Sequence, residues 1–230
     1  MEQNWPWMLA ASLMLLCAPA LIRSIKRHPR LCVLQLLAYA PIGSFLPVMI
    51  VYLKEILHFT PFQIALVIAT QAMGSLLTLF LFAQIADRWL PADRCLVFCA
   101  LCSCGLLWLL PHLTGPAVVF VMCLALWIVS VPTWTLTNAI CFTHLENPET
   151  QFGGVRVWGT IGWVSAGWLL AYWLSGPQWA KAILDQIRPE APYPIQTDQF
   201  RQGSILAFIL ACYALTLPHT PPRKSAKVRV

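Results

Sequence analysis

The chain has 230 residues, 59% hydrophobic and only 10% charged, with a mean hydropathy of +0.69. That balance excludes a soluble globular domain, and continuous apolar runs in place of alternating ones exclude a membrane strand barrel. The net charge of +6 is concentrated in loops and a tail, so it does not point to nucleic acid.

A membrane-spanning helix needs roughly 20 apolar residues. The chain reads as an all-α polytopic membrane protein with seven spans: Trp5–Ile25, Leu31–Leu53, Phe62–Ile85, Cys95–Leu110, Ala117–Phe142, Val157–Leu174 and Gly203–Leu217. The first resembles a signal peptide in its Ala18-Pro19-Ala20 end. Its basic residues, however, follow the apolar core (Arg23, Lys26, Arg27, Arg30) where a signal peptide has them in front. It is therefore expected to be an uncleaved anchor with its N-terminus outside. With the Arg23–Arg30 loop in the cytoplasm, alternation puts eleven basic residues inside and four outside (Lys54, Lys181, Arg188, Arg201). Three units follow: an anchor and basic loop over 1–30, a six-helix body over 31–217, and a basic, proline-containing cytoplasmic tail over 218–230.

The second span carries Pro41, Pro47 and Gly43, with Gln35, Tyr39 and Ser44 as its polar groups. Proline removes a helical hydrogen bond, so this span is expected to break, as is the fifth at Pro132. Broken helices often line transport pathways, although membrane helices also tolerate Pro and Gly for packing alone. The third span adds Thr70, Gln71, Ser75 and Thr78. The fourth holds Cys95, Cys99, Cys102 and Cys104. With no His or carboxylate beside them, these are expected to pack as small hydrophobes rather than bind metal. In the fifth, Ser130, Thr133, Thr137 and Asn138 lie near one face with Trp134 beside them. Such stripes are either interhelical glue or the wall of a shared cavity, and Gln35, Tyr39, Gln71, Thr133, Thr137 and Asn138 are the candidate lining.

Glu146–Gly154 reads as a short polar loop, which puts Arg156 at the mouth of the sixth span. A cation is costly in a bilayer and is kept where it meets protein, water or ligand. Arg156, Thr160 and Trp163 share a helical face at i, i+4 and i+7. Together they offer a guanidinium, a hydroxyl and an aromatic plate, a set suited to a small planar polar solute. The alternative is an interfacial anchor beside a packing tryptophan. After this span, Trp179, Ile183, Leu184 and Ile187 line one face of an expected interfacial helix within Ser175–Gln202. No span holds an Asp, Glu or Lys near its middle, and no nucleophile, base and orienting group come together, so no enzyme, metal or cofactor is expected.

Several stretches resemble a known family: Tyr52-Leu-Lys-Glu-Ile-Leu-His-Phe-Thr60, Ala69-Thr70-Gln71-Ala72, Ala86-Asp87-Arg88 with Pro91-Ala92-Asp93-Arg94, Gly153–Trp163, and Leu215-Thr-Leu-Pro-His219-Thr-Pro-Pro222. They resemble the major facilitator superfamily, and most of all its nucleoside:proton symporter branch, from about Leu31 to Pro222. The resemblance implies twelve helices in two six-helix halves with alternating access, of which this chain matches the N-terminal half behind one extra span. It also implies that Arg156, Thr160 and Trp163 line a nucleoside site, and that Asp87, Arg88 and Arg94 form a gating loop. The family's loop glycines are replaced by Ala83 and Pro91, and its aromatic-Gly signature by Tyr39-Ala40-Pro41. The other site residues and the acidic coupling residue belong to the family's second half.

The expected function is secondary transport of a nucleoside-like or other small polar solute, coupled to protons, in a bacterial cytoplasmic (inner) membrane. Its partners would be the bilayer, the solute, protons, and a second six-helix half or partner subunit. The rivals are a non-transporting scaffold or accessory subunit and a membrane-embedded enzyme.

Overall fold

A computed structural model describes residues 19, 21–85, 91–176 and 197–217, with the backbone alone described over 79–85. Six long helices make up these residues. Helix α1 is a continuous helical run, Pro29–Ile56. It is followed by α2 (Pro61–Ile85), α3 (Ala92–Leu109, extended by a 3-10 turn over Leu110–His112), α4 (Pro116–His144), α5 (Pro148–Leu174) and α6 (Asp198–Ala214). No strand occurs among the described residues. Helices α1 to α4 are long and apolar enough to cross a membrane by length and composition. Helix α5 has 27 residues but carries Glu149, Arg156 and several glycines, and α6 has 17 residues.

The packing is a four-helix square with two wings. Helix α1 meets α4 and α6, and α3 closes the square against the same two; α5 is carried on α1 and α2 on α4. The order α5-α1-α4-α2 therefore forms a front row, backed by α6 and α3. Two apolar clusters fill the interior. One gathers Leu34, Leu96, Cys99, Ile140 and Leu210. The other gathers Phe45, Leu107, Leu126, Trp127 and Phe200. Eight cysteines are described, and all are free thiols.

Small residues set how closely the wings approach. A Cβ on Gly162 would strike the main-chain carbonyl of Leu36, and one on Gly43 would strike that of Trp163. Helices α1 and α5 thus meet backbone to backbone, the small-residue packing that replaces hydrophobic driving force in lipid. On the other wing, a Cβ on Gly74 would sit 2.6 Å from the Trp127 Cβ.

Two expected breaks are not breaks. Helix α4 runs through Pro132 without interruption. Proline there leaves the Ile128 carbonyl without its intrahelical donor. The Thr78 hydroxyl, on α2, donates to that carbonyl at 3.3 Å and replaces the lost bond. Likewise α1 continues through Pro41. Its irregularity comes later, in a 3-10 turn at Leu46–Val48 around Pro47 and a π-helical turn at Tyr52–Ile56.

Helix starts also differ from expectation. The stretch read as a loop before Val157 is already helical from Pro148. Pro148 stands at a first-turn position, where its missing N–H costs nothing, and Glu149 complements the positive end of the helix dipole. The Asn147 N–H also donates to the Gln151 side-chain carbonyl at 3.4 Å. Similarly α6 begins at Asp198, five residues before Gly203. Residues 198–202, read from sequence as the end of the outer segment Ser175–Gln202, belong to α6, where Trp173 Nε1 and Arg201 both donate to the Asp198 carboxylate. The expected interfacial helix around Trp179–Ile187, most of the first span and the tail lie outside the described residues.

On the side read as cytoplasmic, a helical stretch over 21–27 lies against the start of α5. Trp158 Nε1 donates to Ser24 Oγ at 3.1 Å, and Arg27 pairs with Glu146 at 2.9 Å. The first basic loop and the α4–α5 turn therefore share one side of the bundle.

Candidate functional site

Helix α5 buries Val155, Gly159, Gly162, Ala166 and Leu170 against α1. Arg156, Thr160 and Trp163 each follow a residue of that stripe, so they run along its edge. With Pro148 as the first residue of α5, Arg156 stands about two turns inside the helix, not at its mouth.

The Arg156 guanidinium lies over the Tyr39 ring, its central carbon 4.1 Å from the ring centroid. Gly159 makes this possible. A Cβ there would lie 2.7 Å from Arg156 Nη1 and 2.8 Å from Tyr39 Cδ2. Tyr39 in turn stacks on Trp134 of α4, with centroids 5.4 Å apart and planes 8° from parallel. Trp134 is itself held, its indole N–H donating to the Ala38 carbonyl at 3.2 Å and its edge packed on Trp127. One turn along, Gln35 Nε2 donates to Asn138 Oδ1 at 2.9 Å. Asn138 and Arg156 are also the polar neighbours of the Tyr39 hydroxyl.

The register explains this pairing. Gln35 and Tyr39 are i, i+4 on α1; Trp134 and Asn138 are i, i+4 on α4. The two helices run antiparallel, so Gln35 meets Asn138 and Tyr39 meets Trp134. Pro41, whose carbonyl faces Gly203 of α6, is two residues and about 200° around the helix from Tyr39. Tyr39 therefore points away from the backing helices, toward the front row.

The other predicted residues fall into two groups. Thr160 and Trp163 (41% exposed) sit on the open edge of α5, with the Trp163 indole leaning on Gly43. Thr133 and Thr137 instead point into the packed interior. Thr133 donates to its own Val129 carbonyl and, with Ser103, Ser130 and Pro41, lines a cavity of about 20 Å³ between α1, α3, α4 and α6. That is room for about one water. Thr137 is fully buried with its hydroxyl unpartnered. Gln71 stands apart on α2, its main-chain carbonyl accepting from the Ser75 hydroxyl. Ser44 and Thr70 likewise bond to carbonyls of their own helices. Of the gating loop, Asp87 and Arg88 lie outside the described residues. Arg94 is exposed in the first turn of α3, beside the end of α6.

Sequence reasoning missed Trp134 and Gly159 as parts of this cluster. The i, i+4 relation of Trp134 to Asn138 was the available signal; nothing in one sequence marks Gly159 as the seat of Arg156.

An all-α bundle with four helices able to cross a membrane and a cation on stacked aromatics defines an integral membrane protein, and its fold is that of a solved major facilitator transporter. Residues 25–230 match the family model described as "Nucleoside H+ symporter", and the chain belongs to that family. It is thus an integral membrane chain of a transporter family rather than an enzyme. The xanthosine permease of Escherichia coli (strain K12) is 29% identical over 196 residues, 84% of this chain and 43% of the relative. Nucleoside permease NupG of the same organism is 28% identical over 199 residues, 85% of this chain and 43% of the relative. A crystal structure of nucleoside transporter NupG superposes with a TM-score of 0.72 at 27% identity, covering 85% of this chain and 45% of that one. The chain spans less than half the length of these relatives.

Proposed function

We propose that this chain is the N-terminal half of a proton-coupled nucleoside transporter, and that Arg156, Thr160 and Trp163 contact the nucleoside. The observation that carries this reading is the Arg156 guanidinium held over Tyr39 on the front row of a bundle that resembles the nucleoside transporter NupG. An anchor at the interface would project its charge toward lipid headgroups; Arg156 instead turns onto an aromatic ring within the bundle. In this reading Arg156 donates to solute oxygens, Thr160 adds a hydroxyl contact, and Trp163 stacks on the base. The front row faces a second six-helix half, linked or separate, which supplies the proton-carrying carboxylate. The spans of this chain hold none near their middles. The relatives are permeases, which favours transport over a scaffold role.

The test is nucleoside binding by calorimetry on this chain assembled with a second six-helix half. A hydrogen bond to a charged group is worth about 1.5–3 kcal/mol. Lys keeps the charge but lacks the planar fork. Arg156→Lys should therefore weaken binding by about tenfold or more. Affinity unchanged in a well-folded Arg156→Lys variant would leave only the anchor role.

A further inference from the structure

We infer that Tyr39 is the positioning residue for Arg156: its ring face, braced from behind by Trp134 and Asn138, holds the guanidinium in one pose at the front of the bundle. This deepens, and rests on, the proposed nucleoside site.

A free arginine side chain has many rotamers to lose on binding a ligand. A site that pre-orders it loses less affinity to that cost. Here the ordering is built from three directions. The ring lies beneath the guanidinium at 4.1 Å. Gly159 removes the side chain that would fill the space both groups use. Behind the ring, Trp134 stacks at 8° and is pinned by the Ala38 carbonyl, while Asn138 is pinned by Gln35. Gln35 is fully buried, so the brace is anchored in the core and not at the lipid surface. With one face resting on the phenol, the guanidinium keeps for a ligand the N–H edges that the Tyr39 hydroxyl does not use. Those edges are what a bidentate contact to vicinal oxygens or a base carbonyl would use. The ring face carries most of the hold and the hydroxyl adds a polar contact, so phenylalanine should keep most of it and leucine should not.

The test reads Arg156 directly and needs no nucleoside. The purified full chain in nanodiscs is treated with phenylglyoxal, a dicarbonyl that attacks free guanidinium groups. Modification is followed residue by residue by mass spectrometry, with exposed Arg94 as the internal reference. A half-desolvated cation–π contact is worth about 1–2 kcal/mol, so releasing the guanidinium should speed Arg156 by about fivefold to thirtyfold. That acceleration is expected in Tyr39→Leu, with Tyr39→Phe within about twofold of the unmodified chain. Should Tyr39→Leu not fold, Gly159→Ala serves instead, since its methyl wedges ring and guanidinium apart. An Arg156 rate unchanged in Tyr39→Leu, or in Gly159→Ala where that variant stands in, overturns the proposal. So does a Tyr39→Phe rate equal to that of Tyr39→Leu. In the assembled transporter, Tyr39→Leu should weaken nucleoside affinity, and adding it to Arg156→Lys should cost nothing further. If Arg156→Lys binds normally, the nucleoside reading falls by itself, and the phenylglyoxal rates still decide the positioning.

Discussion

Substituting Gly162 by alanine tests the backbone-to-backbone contact of α1 and α5. In an exposed helix the change would help, because alanine is better than glycine by about 1 kcal/mol. Gly105 of α3 supplies that reference, since a Cβ there meets nothing within 4 Å. At Gly162 the new methyl would meet the Leu36 main chain, with the carbonyl carbon at 2.8 Å and the Cα at 2.9 Å. Main chain cannot rotate away as a flexible side chain can. Ordinary contact distance of about 3.5–4.0 Å therefore requires α5 to back off from α1 by about 1 Å. Overpacking of this kind costs about 1–3 kcal/mol. After subtraction of the propensity gain, Gly162→Ala should be net destabilising by up to about 2 kcal/mol, and further below Gly105→Ala. For a chain of this size each 1 kcal/mol moves Tm by about 2–4 °C. Thermal unfolding in one detergent, followed by thiol-reactive fluorescence from the buried cysteines, measures the difference. A Gly162→Ala protein as stable as Gly105→Ala would refute the close-contact argument.

Thr78→Val removes the donor to the Ile128 carbonyl and should lower stability by about 1 kcal/mol, whereas Thr78→Ser should keep most of it; the same thermal assay compares them. Both partners of the Arg27–Glu146 pair are more than half exposed, so Glu146→Gln should move Tm by no more than a degree or two, within the range of surface ion pairs. The proposed topology expects Asp93 on the cytoplasmic side, and labelling of a cysteine placed there by an impermeant reagent from outside would contradict it. The purified chain by itself, reconstituted in vesicles, should move no nucleoside under an imposed proton gradient; robust uptake would contradict the need for a second half. Trp163→Ala should weaken nucleoside binding more than Trp163→Phe, by the roughly 0.5–1.5 kcal/mol of an aromatic stack, read by calorimetry on the assembled transporter.

Composition and hydropathy alone were enough for the class of the protein and the approximate place of its spans. Hydropathy is a one-dimensional quantity, and lipid imposes it locally. The Pro29–Ile56, Pro61–Ile85 and Pro116–His144 helices accordingly fall within a few residues of the apolar runs that announced them. The family was legible too, because its motifs are contiguous. Helix starts were less so. Pro148 and Asp198 begin helices through the fixed φ of proline and charge–dipole effects in polar segments, where an apolar pattern carries no signal. Which faces meet, by contrast, follows from packing and not from the pattern of any one helix. Helical spacing places Arg156 with Thr160 and Trp163, or Trp134 with Asn138, but it does not say which helix lies opposite. The partner of Arg156 is Tyr39, far away in the chain. The donor that replaces the hydrogen bond lost at Pro132 comes from Thr78 on another helix. Thr133 and Thr137, on the same polar stripe as Asn138, turned inward while Asn138 reached Gln35. The physical reason is common to all of these. In lipid, polar and backbone groups find their partners on neighbouring helices at distances set by glycine, and that contact geometry exists only once the helices have packed.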